Sequence, residues 1–132
     1  MSQKDVEIIL MRQLASYLAM PIFLVDPDGN LLFYNEPAEI LLGHRYDETG
    51  EMPVEDWSTF FTPMEEDGSP LSQEDLPLVI AFQKRRAAHR AFWIRGLDGI
   101  FRRLEVTAFP LTGQGGKHLG AVAIFWEEEH PL

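Results

Sequence analysis

An α+β domain built on one antiparallel sheet is the fold class that the sequence predicts. Two short apolar segments flank a tight turn near the N-terminus, helical patterns occupy the middle, and three longer strand-like segments occupy the last third. The 132 residues suffice for one domain that buries most of its apolar surface. The sequence shows no internal repeat and no second domain.

The first two strands are predicted at residues 22–25 and 31–34. Both segments are short and apolar, and the first is partly β-branched. Between them, Pro27 fixes its own φ angle, and Gly29 and Asn30 tolerate positive φ angles. The pattern therefore predicts a hairpin closed by a tight turn.

Two helices are predicted after this hairpin. Asn35 is a typical helix cap, and Pro37 falls in the first turn, where a missing N–H group has no cost. Gly43 is expected to end the helix. The second helix spans about residues 54–61. Its expected apolar anchors are Trp57, Phe60 and Phe61.

A third helix and three strands are predicted in the second half of the chain. Ser72 and Asp75 resemble a capping box, from which a helix would run to about Arg85, with an irregular start because of Pro77. Asp98-Gly99 indicates a tight hairpin between the first two of these strands. The three strands are expected at residues 89–95, 100–111 and 118–126.

Residues 3–19 have the pattern of an amphipathic helix, which Pro21 would stop. The predicted last strand is apolar on both faces, whereas a sheet with one wet face would alternate apolar and polar residues. Both faces are therefore expected to be covered. The helices after the second strand cover one face, and the N-terminal helix or a second subunit remains for the other.

The order of these elements resembles that of the PAS domain family. No single motif is diagnostic, but the ordered set extends over residues 18–127. The segments that carry the resemblance are PIFLVDPDGNLLFYNEPAEILLG (21–43), EDLPL (74–78), IRGLDG (94–99), RRL (102–104), FPL (109–111) and LGAVAIF (119–125).

The resemblance implies a PAS-like (profilin-like) five-stranded antiparallel sheet with strand order 2-1-5-4-3 and the first strand central. Residues 1–20 would form a capping or dimerisation helix, residues 21–127 the domain and residues 128–132 an acidic tail. We expect a freestanding module for signal sensing or protein interaction, which signals through a homodimer or a partner protein. The residues expected at the dimer interface are Val6, Ile9, Leu10, Leu14, Leu18, Val122, Ile124 and Trp126.

The resemblance also implies a cavity between the sheet and the helices, where a small apolar ligand would bind. Plain core packing is the alternative for the same residues, and Asn35 is the one that also suits a helix cap. The residues expected to line the cavity are Leu32, Tyr34, Asn35, Leu41, Trp57, Phe60, Val79, Phe82, Trp93, Leu104 and Phe125.

Several cofactors conflict with the residues present. Cysteine is absent, so a thiol adduct with flavin, a thiol-linked chromophore and a disulfide are excluded. Haem-binding relatives place a histidine in the helix that corresponds to residues 73–85, and none occurs there. A small ligand that binds without a covalent bond is compatible with the residues present. The histidines have no metal-binding spacing and are expected at the surface: His44, His89, His118 and His130.

The formal net charge of -10 disfavours nucleic acid and an anionic membrane as partners. The sequence has no signal peptide and no apolar run near the ~20 residues that span a bilayer, so we expect a cytoplasmic protein. The resemblance to PAS domains implies a module without catalytic activity. The rival hypothesis is a small α+β pocket enzyme of the cone-shaped isomerase or hydratase kind. Such an enzyme needs a carboxylate or histidine inside an apolar cavity, and only Asp26 is a candidate.

Overall fold

In a computed structural model of the protein, five strands and three α-helices are the main elements of residues 19–127, within the part of the chain that is described. The residues that the structure describes are 9, 10, 13, 14, 17, 19–43, 45, 46, 50–96 and 99–127. The elements are, in chain order, β1 (Ile22–Val25), β2 (Leu31–Tyr34), α1 (Glu36–Leu42), α2 (Val54–Phe60), α3 (Pro77–Lys84), β3 (Ala88–Arg95), β4 (Phe101–Thr112) and β5 (His118–Glu127).

The strands form one antiparallel sheet in the order β2-β1-β5-β4-β3. The predicted fold class and strand order are therefore confirmed. The first strand lies in the interior of the sheet, as predicted, between β2 and β5, and β5 takes the middle position. This last strand pairs with β1 on one side and β4 on the other, and so joins the N-terminal hairpin to the C-terminal one.

The hairpin and the first helix form where the sequence predicts them, for the reasons given. Gly29 has a φ angle of 90°, and its N–H group donates to the Asp26 carbonyl at 2.9 Å. The Asn35 side chain accepts a hydrogen bond from the Ala38 N–H group and so caps α1. Gly43 ends the helix in the left-handed conformation.

The predicted capping box at Ser72 is wrong. The Ser72 hydroxyl group donates to the Glu74 carboxylate, and residues 73–75 form a 3-10 turn. Leu76 is extended, with φ -70° and ψ 131°, because a residue before proline avoids the α conformation. The α-helix consequently begins at Pro77, whose fixed φ angle suits a first helical position.

Each face of the sheet has its own apolar cluster, as the sequence predicts. The inner face packs against the helices, with Phe23 and Phe125 among its strand residues. The outer cluster consists of strand residues that are already buried within one chain: Ile22, Leu24, Leu32, Leu119 and Val122. The described residues of the N-terminal helix are Ile9, Leu10, Gln13, Leu14 and Tyr17, and all are exposed.

Gly120 in β5 provides a test of how closely the central strands approach. Its φ angle is 127°, and a Cβ atom there would fall against the carbonyl oxygen of Val25 in β1. We expect Gly120→Ala to lower the free energy of unfolding by about 3 kcal/mol, because backbone strain and a backbone clash add together. Chemical denaturation measures the loss.

Gly115→Ala is the matched control for this substitution. Gly115 also has a positive φ angle, 68°, but open space surrounds the position that its Cβ atom would take. Only the conformational cost of about 1 kcal/mol should remain. Equal losses in the two variants would contradict a close contact at Gly120.

Candidate functional site

A cavity lies between the inner face of the sheet and the helices. The volume of the cavity is ≈ 80 Å³. Its walls come from β1, β3, β4, β5, the helices α1, α2 and α3, and the segment between α2 and α3. The lining residues are Phe23, Leu42, Trp57, Phe61, Pro63, Leu76, Pro77, Leu78, Phe92, Ile94, Leu104, Val106, Ala123 and Phe125.

Apolar side chains form the whole of this wall. The one polar side-chain atom is the indole Nε1 of Trp57, and it donates a buried hydrogen bond of 2.7 Å to the Gly29 carbonyl. The Trp57 ring meets the Phe23 ring edge-on, with 5.5 Å between the centroids. Such a wall offers no free polar partner, so it favours uncharged, apolar molecules.

Most of the residues predicted to line a cavity fall into three places. Trp57, Leu104 and Phe125 lie in its wall. Four others belong to the same apolar core but lie away from the cavity: Tyr34, Leu41, Val79 and Phe82. The structure places Leu32 in the outer cluster, on the opposite face of the sheet.

Asn35, Trp93 and Phe60 complete the predicted set. Asn35 is 1% exposed, and its Oδ1 atom accepts from the Ile22 and Ala38 N–H groups at 3.0 and 3.2 Å. Its side chain therefore caps α1 and fixes β1. The Nε1 atom of Trp93 donates to the Glu66 carboxylate at an exposed position, outside the cavity. The side chain of Phe60 lies outside the described residues.

Sequence reasoning missed several wall residues. Phe23 and Ala123 share the inner face with Phe125, so the alternation along β1 and β5 was a sufficient signal. Pro63 and Leu76 come from the irregular chain between α2 and α3, where no periodic pattern exists. Their position depends on contacts distant in sequence, including the pairing of Met64 with Trp93 in β3.

A second, open groove lies beside β3, between Met64, Trp93 and Phe101. Its carboxylates already have cationic partners, because Arg103 binds Glu66 at 2.7 Å and Arg90 binds Glu65. In the adjacent turn, the hydroxyl and N–H groups of Ser69 donate to the Asp67 carboxylate and lower its pKa. A hydrogen bond from the Ser72 hydroxyl likewise lowers the pKa of Glu74. Neither of these carboxylates touches the cavity.

The two described histidines bind protein atoms. The ring of His89 lies 2.7 Å from the Thr107 hydroxyl and 2.9 Å from the Glu105 carboxylate, and His118 Nε2 lies 3.1 Å from the Phe82 carbonyl. His44 and His130 are outside the described residues. Across residues 19–43, 50–96 and the other described parts, no group of three side chains could hold a metal ion. The same parts contain no helix with the length and apolar character that crossing a bilayer requires.

Comparisons of the sequence with family models and with curated proteins give no match. Solved structures, in contrast, are similar over nearly the whole chain. The PAS domain of a protein from Colwellia psychrerythraea has a TM-score of 0.65 at 17% identity, covering 92% of this chain and 97% of that one. The PAS domain of BvgS from Bordetella pertussis has a TM-score of 0.62 at 16% identity, covering 94% and 87%.

The LOV protein of Rhodobacter sphaeroides is also similar, with a TM-score of 0.72 at 13% identity. The match covers 93% of this chain and 68% of that one. At these identities the similarity defines the fold, and the strand order agrees with it. The protein is a PAS-fold domain.

Trp57 and Phe82 are buried in the core, where their side chains are 6% and 5% exposed. We expect Phe82→Ala and Trp57→Ala each to lower the free energy of unfolding by about 3–5 kcal/mol, as truncations of buried aromatic side chains do. The matched control is Phe101→Ala, because Phe101 is 56% exposed. It should cost less than about 0.5 kcal/mol. Denaturation midpoints report all three, and similar losses for Phe82 and Phe101 would contradict the packing.

Proposed function

We propose that the protein is a sensory module that binds a small, uncharged, apolar molecule in the cavity and passes the signal on through a dimer or a partner protein. The observation that carries this proposal is the cavity itself, which lies between the sheet and the helices and is lined by apolar side chains. The PAS and LOV structures similar to this chain include domains of a sensor histidine kinase and of light receptors, which supports a sensory role.

The volume of the cavity limits the ligand. A cavity of about 150 Å³ lined by apolar side chains binds benzene or xenon. The ≈ 80 Å³ available here accommodates an atom such as xenon or a molecule of a few heavy atoms. Flavin and haem are far larger, so either would require the walls to move apart.

The same wall favours binding over catalysis. A pocket enzyme of the isomerase or hydratase kind needs a carboxylate or imidazole that faces its substrate. Asp26, the one candidate from the sequence, accepts hydrogen bonds from the Asp28 and Asn30 N–H groups within the β1–β2 turn. Its carboxylate is thereby committed to the turn, and the cavity wall supplies apolar side chains alone.

Xenon is the probe that tests binding without a change of the wall. We expect amide resonances of wall residues such as Ala123 and Phe125 to shift saturably under xenon pressure in two-dimensional NMR spectra. In Ala123→Leu an isobutyl group replaces a wall methyl group and fills the space, so the shifts should vanish. Ile40→Leu is the control, because Ile40 is 67% exposed and distant from the wall. Unchanged wall resonances in the native protein would refute the proposal.

The N-terminal helix supports a dimer as the output of the module. Its described apolar side chains are 45–88% exposed, including Met20 just after it. Val122 is buried within one chain and Ile124 is half-buried, so the surface left for a second copy is the helix together with Trp126. Val6 and Leu18, also predicted at the interface, are outside the described residues. The exposed apolar set is Ile9, Leu10, Leu14, Tyr17 and Met20.

A closed two-fold contact is the commonest way to bury such a surface. We expect sedimentation at micromolar concentration to show a dimer, and Leu14→Glu to convert it to a monomer because an unpaired charge would enter the interface. Ile40→Glu makes the same change at an exposed position of α1 and should remain dimeric. A monomeric native protein would contradict the dimer, and a dimeric Leu14→Glu would place the interface elsewhere.

A further inference from the structure

Trp57 connects the cavity to the β1–β2 turn. Its side chain lies in the cavity wall, and its Nε1 atom donates the buried 2.7 Å hydrogen bond to the Gly29 carbonyl. An indole is rigid, so its N–H group moves whenever the ring does. A displacement of the ring from inside the cavity therefore acts directly on the backbone of the turn.

The turn is held closely at the same residue from the other side. The φ angle of Gly29 is 90°, and a Cβ atom at this position would fall on the ring of Phe82 in α3. Gly29 thus lies between two buried aromatic side chains, one from α2 and one from α3. The tip of the turn, Pro27 and Asp28, is exposed. A change in the backbone conformation of Gly29 therefore affects exposed residues that are its near neighbours in the chain.

Hydrogen bonds inside the turn make it a unit that opens together. The Asp26 N–H group donates to the Asn30 carbonyl at 2.9 Å, and the Gly29 N–H group donates to the Asp26 carbonyl at 2.9 Å. The Asn30 N–H group donates to the Asp26 carboxylate at 2.9 Å. The loss of the Trp57 bond would leave the Gly29 carbonyl without its buried partner, which favours opening of the turn.

The size of the cavity determines which molecules can displace Trp57 and so open the turn. A molecule that fits within ≈ 80 Å³ leaves the wall unchanged, whereas a benzene-sized molecule must displace part of it. The side chains of Leu78 and the other aliphatic wall residues make apolar contacts alone, so their displacement breaks no side-chain hydrogen bond. Displacement of Trp57 also breaks a hydrogen bond, and it is this displacement that would distinguish the two states of the turn.

We propose that the Trp57 side chain couples occupation of the cavity to the β1–β2 turn, so that a ligand too large for the resting cavity releases the Gly29 carbonyl and loosens the turn. The inference rests on the proposed binding function and adds its regulation. The coupling follows from linkage, because a ligand that binds better when Trp57 is displaced must shift the turn toward its released state.

Amide hydrogen exchange at Gly29 and Asn30, with benzene as the probe, tests the coupling. We expect saturating benzene to speed exchange at both amides about tenfold, as the loss of roughly one buried hydrogen bond would. Trp57→Phe keeps an apolar ring but lacks the N–H donor. Its exchange at the two amides should already be fast without benzene, and benzene should change it little.

Trp93→Phe is the matched control, because it also removes an indole N–H group, here one that binds Glu66 outside the cavity. It should behave as the native protein does. Benzene binding with unchanged exchange at Gly29 and Asn30 overturns the coupling, and so does xenon binding without benzene binding. Failure of both xenon and benzene to bind overturns the proposed function itself. The native measurement decides the question even if Trp57→Phe does not fold.

Discussion

Burial of the central strand β5 on both faces is the constraint on which the rest of the structure depends. Residues 119–123 are all buried, although their side chains alternate between the inner and outer clusters. A strand in this position needs cover on each side, and a single layer of helices provides it on one side only. The helical layer covers the inner face of β5, and the outer cluster buries its other face within one chain.

The cavity also depends on this strand. On the floor of the cavity, the inner face of β5 contributes the small side chain of Ala123. The helices and the 61–78 segment present large rings and prolines toward this floor. Because rings of this size cannot fill every space above small residues without strain, a gap remains between them. The gap is apolar because the core around it is.

Buried polar groups fix the parts of the fold that apolar packing leaves undetermined. The Asn35 side chain binds the start of β1, the first turn of α1 and, through Nδ2, the Met20 carbonyl at 2.9 Å. The Trp57 N–H group binds the hairpin turn in the same manner. Apolar contacts are non-directional, whereas these hydrogen bonds have a required geometry. They set how the hairpin sits against the helices that close the cavity.

The sequence alone determined the elements and their order, because the signals for them are local. Pro27 and Gly29 mark the turn, Asn35 and Gly43 bound the first helix, and the apolar alternation marks the strands. Resemblance to the PAS family then supplied the strand order. The tertiary structure decided which side chains form the cavity wall. Pro63 and Leu76 line the wall although they come from an irregular segment, and Trp93 lies outside the wall, where it donates to Glu66. These positions depend on pairing between residues far apart in the chain.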